Sequence, residues 1–184
     1  MLLLVPVILI STTSFFYRDE LMSLLYHHHI SSSAPVFGVL ILALIPIASS
    51  YIFGTLLTAN GSVKELNIMA FSGMVLNITL NVILIPKYQA IGSAIASIIT
   101  QVIVAIIQIY LSYKLFSFRF NIRLIVKFLL FTAFIVLLAA VLNEYSYNWL
   151  WEYAGIILGG FAFAVFIKLF SIKGLLRIVK YEKN

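Results

Sequence analysis

Apolar runs long enough to cross a lipid bilayer follow one another along this chain, with only short polar segments between them. A hydrocarbon core of about 30 Å is crossed by about 20 helical residues, because each residue adds about 1.5 Å. The sequence therefore predicts an all-α integral membrane protein with six transmembrane helices. The predicted spans are residues 1–16, 35–57, 66–85, 90–113, 124–142 and 149–170.

Composition excludes most soluble functions. Hydrophobic residues make up 63% of the chain and charged residues only 10%, whereas a soluble domain has about 25% charged residues. The absence of cysteine excludes disulfides, thiolate metal sites and cysteine nucleophiles. No phosphate-binding loop, dinucleotide fingerprint or catalytic triad occurs in the sequence. We therefore predict no enzyme, no catalytic residue and no cofactor.

Basic residues lie mainly on one side of the predicted spans. If the chain starts in the cytoplasm, ten Lys and Arg residues fall inside and two, Arg18 and Lys87, fall outside. This asymmetry predicts that both ends are cytoplasmic, and it explains the net charge of +6 without a nucleic-acid partner. Lys168 is expected to extend to the inner surface, and Glu152 to be a solvated charge at an outer helix end.

Two polar segments separate neighbouring spans by reversing the chain. Asn60-Gly61 predicts a turn, because both residues readily adopt positive φ, and Pro86-Lys87-Tyr88 predicts the end of the third span. His27, His28 and His29 are adjacent and lack the i, i+4 spacing that brings ligands together, so no metal site is predicted. A pH-sensitive outer loop is the alternative for these histidines.

Amide side chains within the spans are the first candidate site residues. Asn77 and Asn81 are four residues apart and share one helix face, where an unpaired amide in hydrocarbon would cost free energy. They must therefore pair with other groups or face a hydrated cavity. Interhelical hydrogen bonding is the simpler alternative, and direct substrate contact is the other.

Small residues at four-residue spacing predict close helix packing. Gly92, Ala96 and Thr100 form one such face in the fourth span, and Gly155 and Gly159 form a G-x-x-x-G match in the sixth. No ionisable residue lies at the centre of any span, which argues against an ion-coupling site in this portion.

The segment from Asn77 to Gln101 is the most distinctive in the chain. It reads N-I-T-L-N-V-I-L-I-P, a short turn, and then G-S-A-I-A-S-I-I-T-Q. It resembles the helix-turn-helix near the C-terminal end of polysaccharide and lipid-linked oligosaccharide flippases of the MOP exporter superfamily. Residues 89–91 depart from that pattern, where glycine is usual. Gln101 departs from it as well, where many members carry glutamate.

This resemblance implies a domain organisation. Residues 1–113 would be helices of the C-terminal lobe, 114–123 a cytoplasmic connector, 124–170 the extra helix pair of fourteen-helix members, and 171–184 a basic cytoplasmic tail. The first span looks short, so we expect an N-terminal lobe in the same or a split chain as a partner.

The resemblance also implies a function. Such proteins flip lipid-linked saccharide, here expected to be polyprenyl-diphosphate-linked, from the cytoplasmic to the outer leaflet of a prokaryotic cell membrane. Besides membrane lipid, that saccharide would be the main partner. The expected cavity residues are Asn77, Asn81, Gln101 and Gln108, because amides both donate to and accept from sugar hydroxyls. A multidrug or small-metabolite exporter and a non-transporting scaffold subunit are the alternatives.

Overall fold

The computed structural model describes residues 3–26, 30–118, 121–143 and 148–169. These residues form six helices and no strand. The helices are α1 (Leu4–Phe16), α2 (Arg18–Leu25), α3 (Ile30–Ala59), α4 (Val63–Phe116), α5 (Ile122–Asn143) and α6 (Trp149–Phe166). The histidine run at 27–29, part of the predicted connector and the predicted basic tail lie outside the described residues.

Four of the described helices, α3, α4, α5 and α6, are long and apolar enough to cross a membrane. The predicted all-helical class is therefore confirmed, and these four helices fit a multi-pass membrane protein by length and composition. The number of long helices differs from the six predicted spans for two reasons. Helix α1 has only 13 residues, and α4, with 54 residues, contains the third and fourth predicted spans together.

Helix α4 folds back on itself at Gln89. In a straight helix Asn77 and Thr100 would lie about 35 Å apart. Their side chains are hydrogen-bonded instead, with Asn77 Nδ2 lying 3.3 Å from Thr100 Oγ1. The backbone of Gln89 departs from helical angles, with φ 51° and ψ −130°, and so reverses the chain. The arms of this hairpin, residues 63–88 and 90–116, correspond to the two predicted spans, and the bend follows the predicted break at Pro86–Tyr88.

The turn between α3 and α4 is the one that Asn60-Gly61 predicts. Gly61 has φ 79°, its N–H donates to the Thr58 carbonyl, and the N–H of Ser62 donates to the Leu57 carbonyl. This pair of bonds is a Schellman motif, which satisfies carbonyls that the end of a helix leaves unpaired. Glycine suits the left-handed position because it has no Cβ.

The chain forms two compact units. One contains α2, α3 and α4, and the other contains α1 together with α5 and α6. In the second unit α1 packs against both α5 and α6, and Phe134 of α5 stacks on Phe163 of α6 with ring centres 4.1 Å apart. The first predicted span thus packs with the predicted extra helix pair. The functional division of the chain at residue 113 stays a prediction.

Candidate functional site

An open groove of about 460 Å³ runs between the two arms of α4. Gly73 lies in one wall, and a Cβ there would come within 3.0 Å of the Val104 side chain, so its small size keeps the arms close. The groove carries both amide and hydroxyl groups on otherwise small or apolar walls. Its lining residues are Ala70, Gly73, Met74, Asn77, Ser97, Thr100, Gln101 and Val104.

A directional chain of hydrogen bonds crosses the hairpin beside this groove. Asn81 Nδ2 donates to Asn77 Oδ1 over 2.9 Å and to the Asn77 carbonyl over 2.9 Å. Asn77 Nδ2 donates to Thr100 Oγ1, and Thr100 Oγ1 donates over 2.8 Å to the carbonyl of Ala96. The two asparagines therefore pair as their i, i+4 spacing predicts, and they connect one arm to the other.

Two acceptors of the predicted site have no hydrogen-bond partner among the described residues. One is the buried Asn81 Oδ1, at the start of the hydrogen-bond chain, and the other is Gln108 Oε1. Gln108 is only 9% exposed and lies against Gly54 of α3, because a Cβ on Gly54 would be 3.7 Å from Gln108 Nε2. Gln108 therefore lies between α4 and α3 and does not line the groove.

The structure brings together only part of the predicted site. Asn77 and Gln101 line the same groove, whereas Asn81 contacts Asn77 and borders a neighbouring apolar surface with Ile78 and Pro86. Thr100 also lines the groove. Its four-residue spacing from Gly92 and Ala96 predicts a packing residue, and the sequence did not indicate its place in the groove.

The predicted packing residues have different surroundings. A Cβ on Gly92 would lie 2.5 Å from the Leu84 carbonyl oxygen, so this glycine allows the backbone to bend. Ala96 is fully buried. A Cβ on Gly159 would meet Leu138 at 3.4 Å, whereas Gly155 is exposed and has nothing within 4 Å. Gly160 was not predicted as a packing residue, yet a Cβ there would overlap a methyl group of Leu9 in α1.

A polar cluster between the end of α1 and α6 was not predicted from the sequence. Tyr17, which is 1% exposed, donates its hydroxyl to Glu152 Oε2 over 3.1 Å. Ser14 Oγ and the Tyr153 hydroxyl lie 2.9 Å apart, and the rings of Tyr17 and Tyr153 meet edge to face. Glu152 is therefore not simply a solvated end charge. No sequence spacing indicates this pairing, because the partners are 135 positions apart.

The groove has the chemistry of a weak polar binding surface. Amides and hydroxyls both donate and accept hydrogen bonds, which suits a hydroxylated ligand. Within the described part of the chain no three His, Cys, Asp or Glu side chains come together to hold a metal ion. Comparisons with protein-family models, curated protein sequences and solved structures gave no match to this chain.

Proposed function

We propose that this chain is part of a membrane transporter that flips lipid-linked saccharide from the cytoplasmic to the outer leaflet for surface polysaccharide biosynthesis. The observation that carries the proposal is the amide-lined groove of α4. The segment that resembles the flippase helix-turn-helix folds as a hairpin, and its amides Asn77 and Gln101 lie along one open groove.

The proposed topology has six crossings in a prokaryotic cytoplasmic membrane, with both ends of the chain in the cytoplasm. A span needs about 20 residues, and each arm of α4 is longer than that, so α4 would cross the membrane twice. Helix α1, with 13 residues, would provide the shortest crossing. The ten-to-two distribution of basic residues supports this orientation.

The mechanism follows from the chemistry of the cargo. A glycan cannot enter hydrocarbon cheaply, because each unpaired hydroxyl there costs about 2 kcal/mol or more. A hydrated groove between helices would hold the sugar while the lipid tail stays in the bilayer. In this scheme the side chains of Asn77 and Gln101 exchange hydrogen bonds with sugar hydroxyls, and rocking of this part against the N-terminal lobe moves the cavity between leaflets.

Deletion of the complete gene in its host tests the proposal. We expect lipid-linked saccharide to accumulate in membrane extracts and surface polysaccharide to fall, with susceptibility to cationic drugs unchanged. Unchanged glycan pools would contradict the proposal. In that case raised drug sensitivity would favour an exporter, and unchanged sensitivity would favour a scaffold subunit.

A substitution in the groove separates cargo contact from folding. The Gln101 side chain lines the groove and makes no hydrogen bond with the described part of the chain, so Gln101→Met should leave protein levels unchanged. We expect it to slow saccharide flipping about fivefold, because a hydrogen bond to cargo is worth about 1 kcal/mol. The control is Thr79→Val, an exposed position whose hydroxyl bonds only within its own helix. Equal flipping rates in the two variants would exclude Gln101 as a cargo contact.

One observation favours the scaffold alternative. Gly155 is exposed on α6 with nothing within 4 Å of its Cβ position, so another helix could approach it closely. If the chain acts as a scaffold, Gly155→Leu should release a partner protein from detergent extracts, whereas Gln101→Met should not. Under the flippase proposal Gln101→Met should slow saccharide transport, and Gly155→Leu should slow it less.

A further inference from the structure

A small basic cavity lies where α5 begins and α6 ends. It has a volume of about 240 Å³ and is lined by Asn121, Arg123, Leu124, Lys127, Lys168 and Leu169. Three of these six side chains are cations. Lys127 is half-buried, and Arg123 and Lys168 are exposed. The cavity shares no lining residue with the groove of α4, whose residues belong to the other compact unit.

The three cations have no counter-charge within the described ranges. The acidic residues there are Asp19, Glu20, Glu65 and Glu152, and none lines the cavity. The side chains of Arg123, Lys127 and Lys168 also make no hydrogen bond or ion pair with a described residue. Like charges that share one small cavity repel each other, and an anion between them would reverse the sign of that energy.

Lys168 occupies a backbone conformation that favours glycine. Its φ is 57°, its N–H donates to the Val165 carbonyl, and the N–H of Leu169 donates to the Ala164 carbonyl. This is the same Schellman motif that ends α3, where Gly61 holds the corresponding left-handed position. A lysine there has a conformational cost that glycine would not have. Leu169, 3% exposed, anchors the turn and leaves Lys168 at the cavity.

The start of α5 adds to the positive potential. The carbonyl of Asn121 accepts hydrogen bonds from the N–H groups of Leu124 and Ile125, and Asn121, Arg123 and Leu124 of this first turn line the cavity. The first N–H groups of a helix have no partner within it and carry a partial positive charge. They support an anion that the three side chains already attract.

We propose that this basic cavity binds a phosphate group, either that of an anionic phospholipid head group or a soluble phosphate. The adjoining surface of α5 is apolar, with Ile125, Val126 and Leu129 exposed, and so would contact acyl chains when the phosphate belongs to a lipid. Basic pockets at the cytoplasmic ends of membrane helices bind anionic head groups in this way. The cavity lies on the cytoplasmic side in the proposed topology.

Thermal unfolding of the full chain in detergent tests the proposal with three probes: phosphatidylglycerol, phosphatidylcholine and inorganic phosphate. We expect saturable stabilisation by phosphatidylglycerol and none by phosphatidylcholine. Lys127→Gln and Lys168→Gly should each raise the half-saturating concentration of phosphatidylglycerol about fivefold. The matched control is Lys114→Gln, which removes one exposed charge from the other compact unit and should leave that concentration unchanged.

Lys168→Gly also guards against a folding artefact. Glycine relieves the left-handed strain, so this variant should be more stable than the parent without lipid and still bind phosphatidylglycerol more weakly. A response to phosphatidylglycerol alone assigns the phosphate to a lipid, and a response to inorganic phosphate that the same variants weaken assigns it to a soluble ligand. Equal stabilisation by phosphatidylcholine, or equal weakening by Lys114→Gln, would overturn the proposal.

Discussion

Asn77 donates a hydrogen bond to Thr100 over 3.3 Å, although 23 positions of one helical segment separate the two residues. This bond connects the arms of α4 at the level of the groove. Among the described residues, the Thr100 hydroxyl is the one that accepts from Asn77. The same hydroxyl donates to the carbonyl of Ala96. The hairpin and the polar groove therefore depend on the same pair of side chains.

Replacing Thr100 by valine removes the acceptor and keeps the side-chain shape. We expect Thr100→Val to lower the free energy of unfolding by about 1 kcal/mol, because interhelical hydrogen bonds in membrane proteins are worth about that much. Denaturation of the purified chain in mixed detergent micelles measures the change. Thr79→Val, which removes an exposed hydroxyl bonded to Val75 within one helix, should change stability by less than half as much. Equal losses of unfolding free energy in the two variants would mean that the hydrogen bond from Asn77 to Thr100 contributes nothing to stability.

Gly92 and Gly155 should respond oppositely to the same change. An alanine methyl at residue 92 would lie 2.5 Å from the Leu84 carbonyl oxygen, and backbone atoms cannot move aside as a side chain can. We expect Gly92→Ala to destabilise the chain by about 2 kcal/mol. Gly155→Ala meets nothing within 4 Å and should be neutral or slightly stabilising, because alanine favours helix. Thermal unfolding of the two variants measures both changes in stability. A larger loss for Gly155→Ala than for Gly92→Ala would contradict the close backbone approach at the bend.

Contact between α1 and α6 is testable through Gly160 and Leu9. A methyl group on residue 160 would overlap the end of the Leu9 side chain, so Gly160→Ala should cost about 1 kcal/mol or more. Shortening the neighbour in the double variant Gly160→Ala, Leu9→Ala makes room. We expect a coupling energy of about 1 kcal/mol in a double-mutant cycle measured by unfolding. Strict additivity would show that the two residues do not touch.

The Tyr17 hydroxyl provides a test of the polar cluster between α1 and α6. Tyr17→Phe keeps the ring packed and removes the donor to Glu152, so unfolding free energy should fall by about 1.5 kcal/mol, the range for a hydrogen bond to a charged group. The control is Tyr110→Phe, where the ring is 67% exposed and the change should be negligible. If Glu152 were only a solvated charge, the two variants would behave alike.

The sequence by itself determined the class of this protein, because the length of each apolar run and the scarcity of charge leave a membrane as the only suitable solvent. It also located the chain reversals at Asn60-Gly61 and after Pro86, and it placed Asn77 and Asn81 on one helix face. These features depend on residues that are near neighbours in the chain, where helix geometry relates spacing to position.

Only the tertiary structure decided which groups meet. The structure pairs Thr100 with Asn77, brings Gly160 against Leu9 of α1 and sets Tyr17 beside Glu152. These contacts follow from how the helices are rotated against one another. Gln108 is turned toward Gly54 of α3 for the same reason. Side chains this far apart in sequence are brought together by packing, and packing in a nearly uniform apolar sequence leaves little periodicity to read.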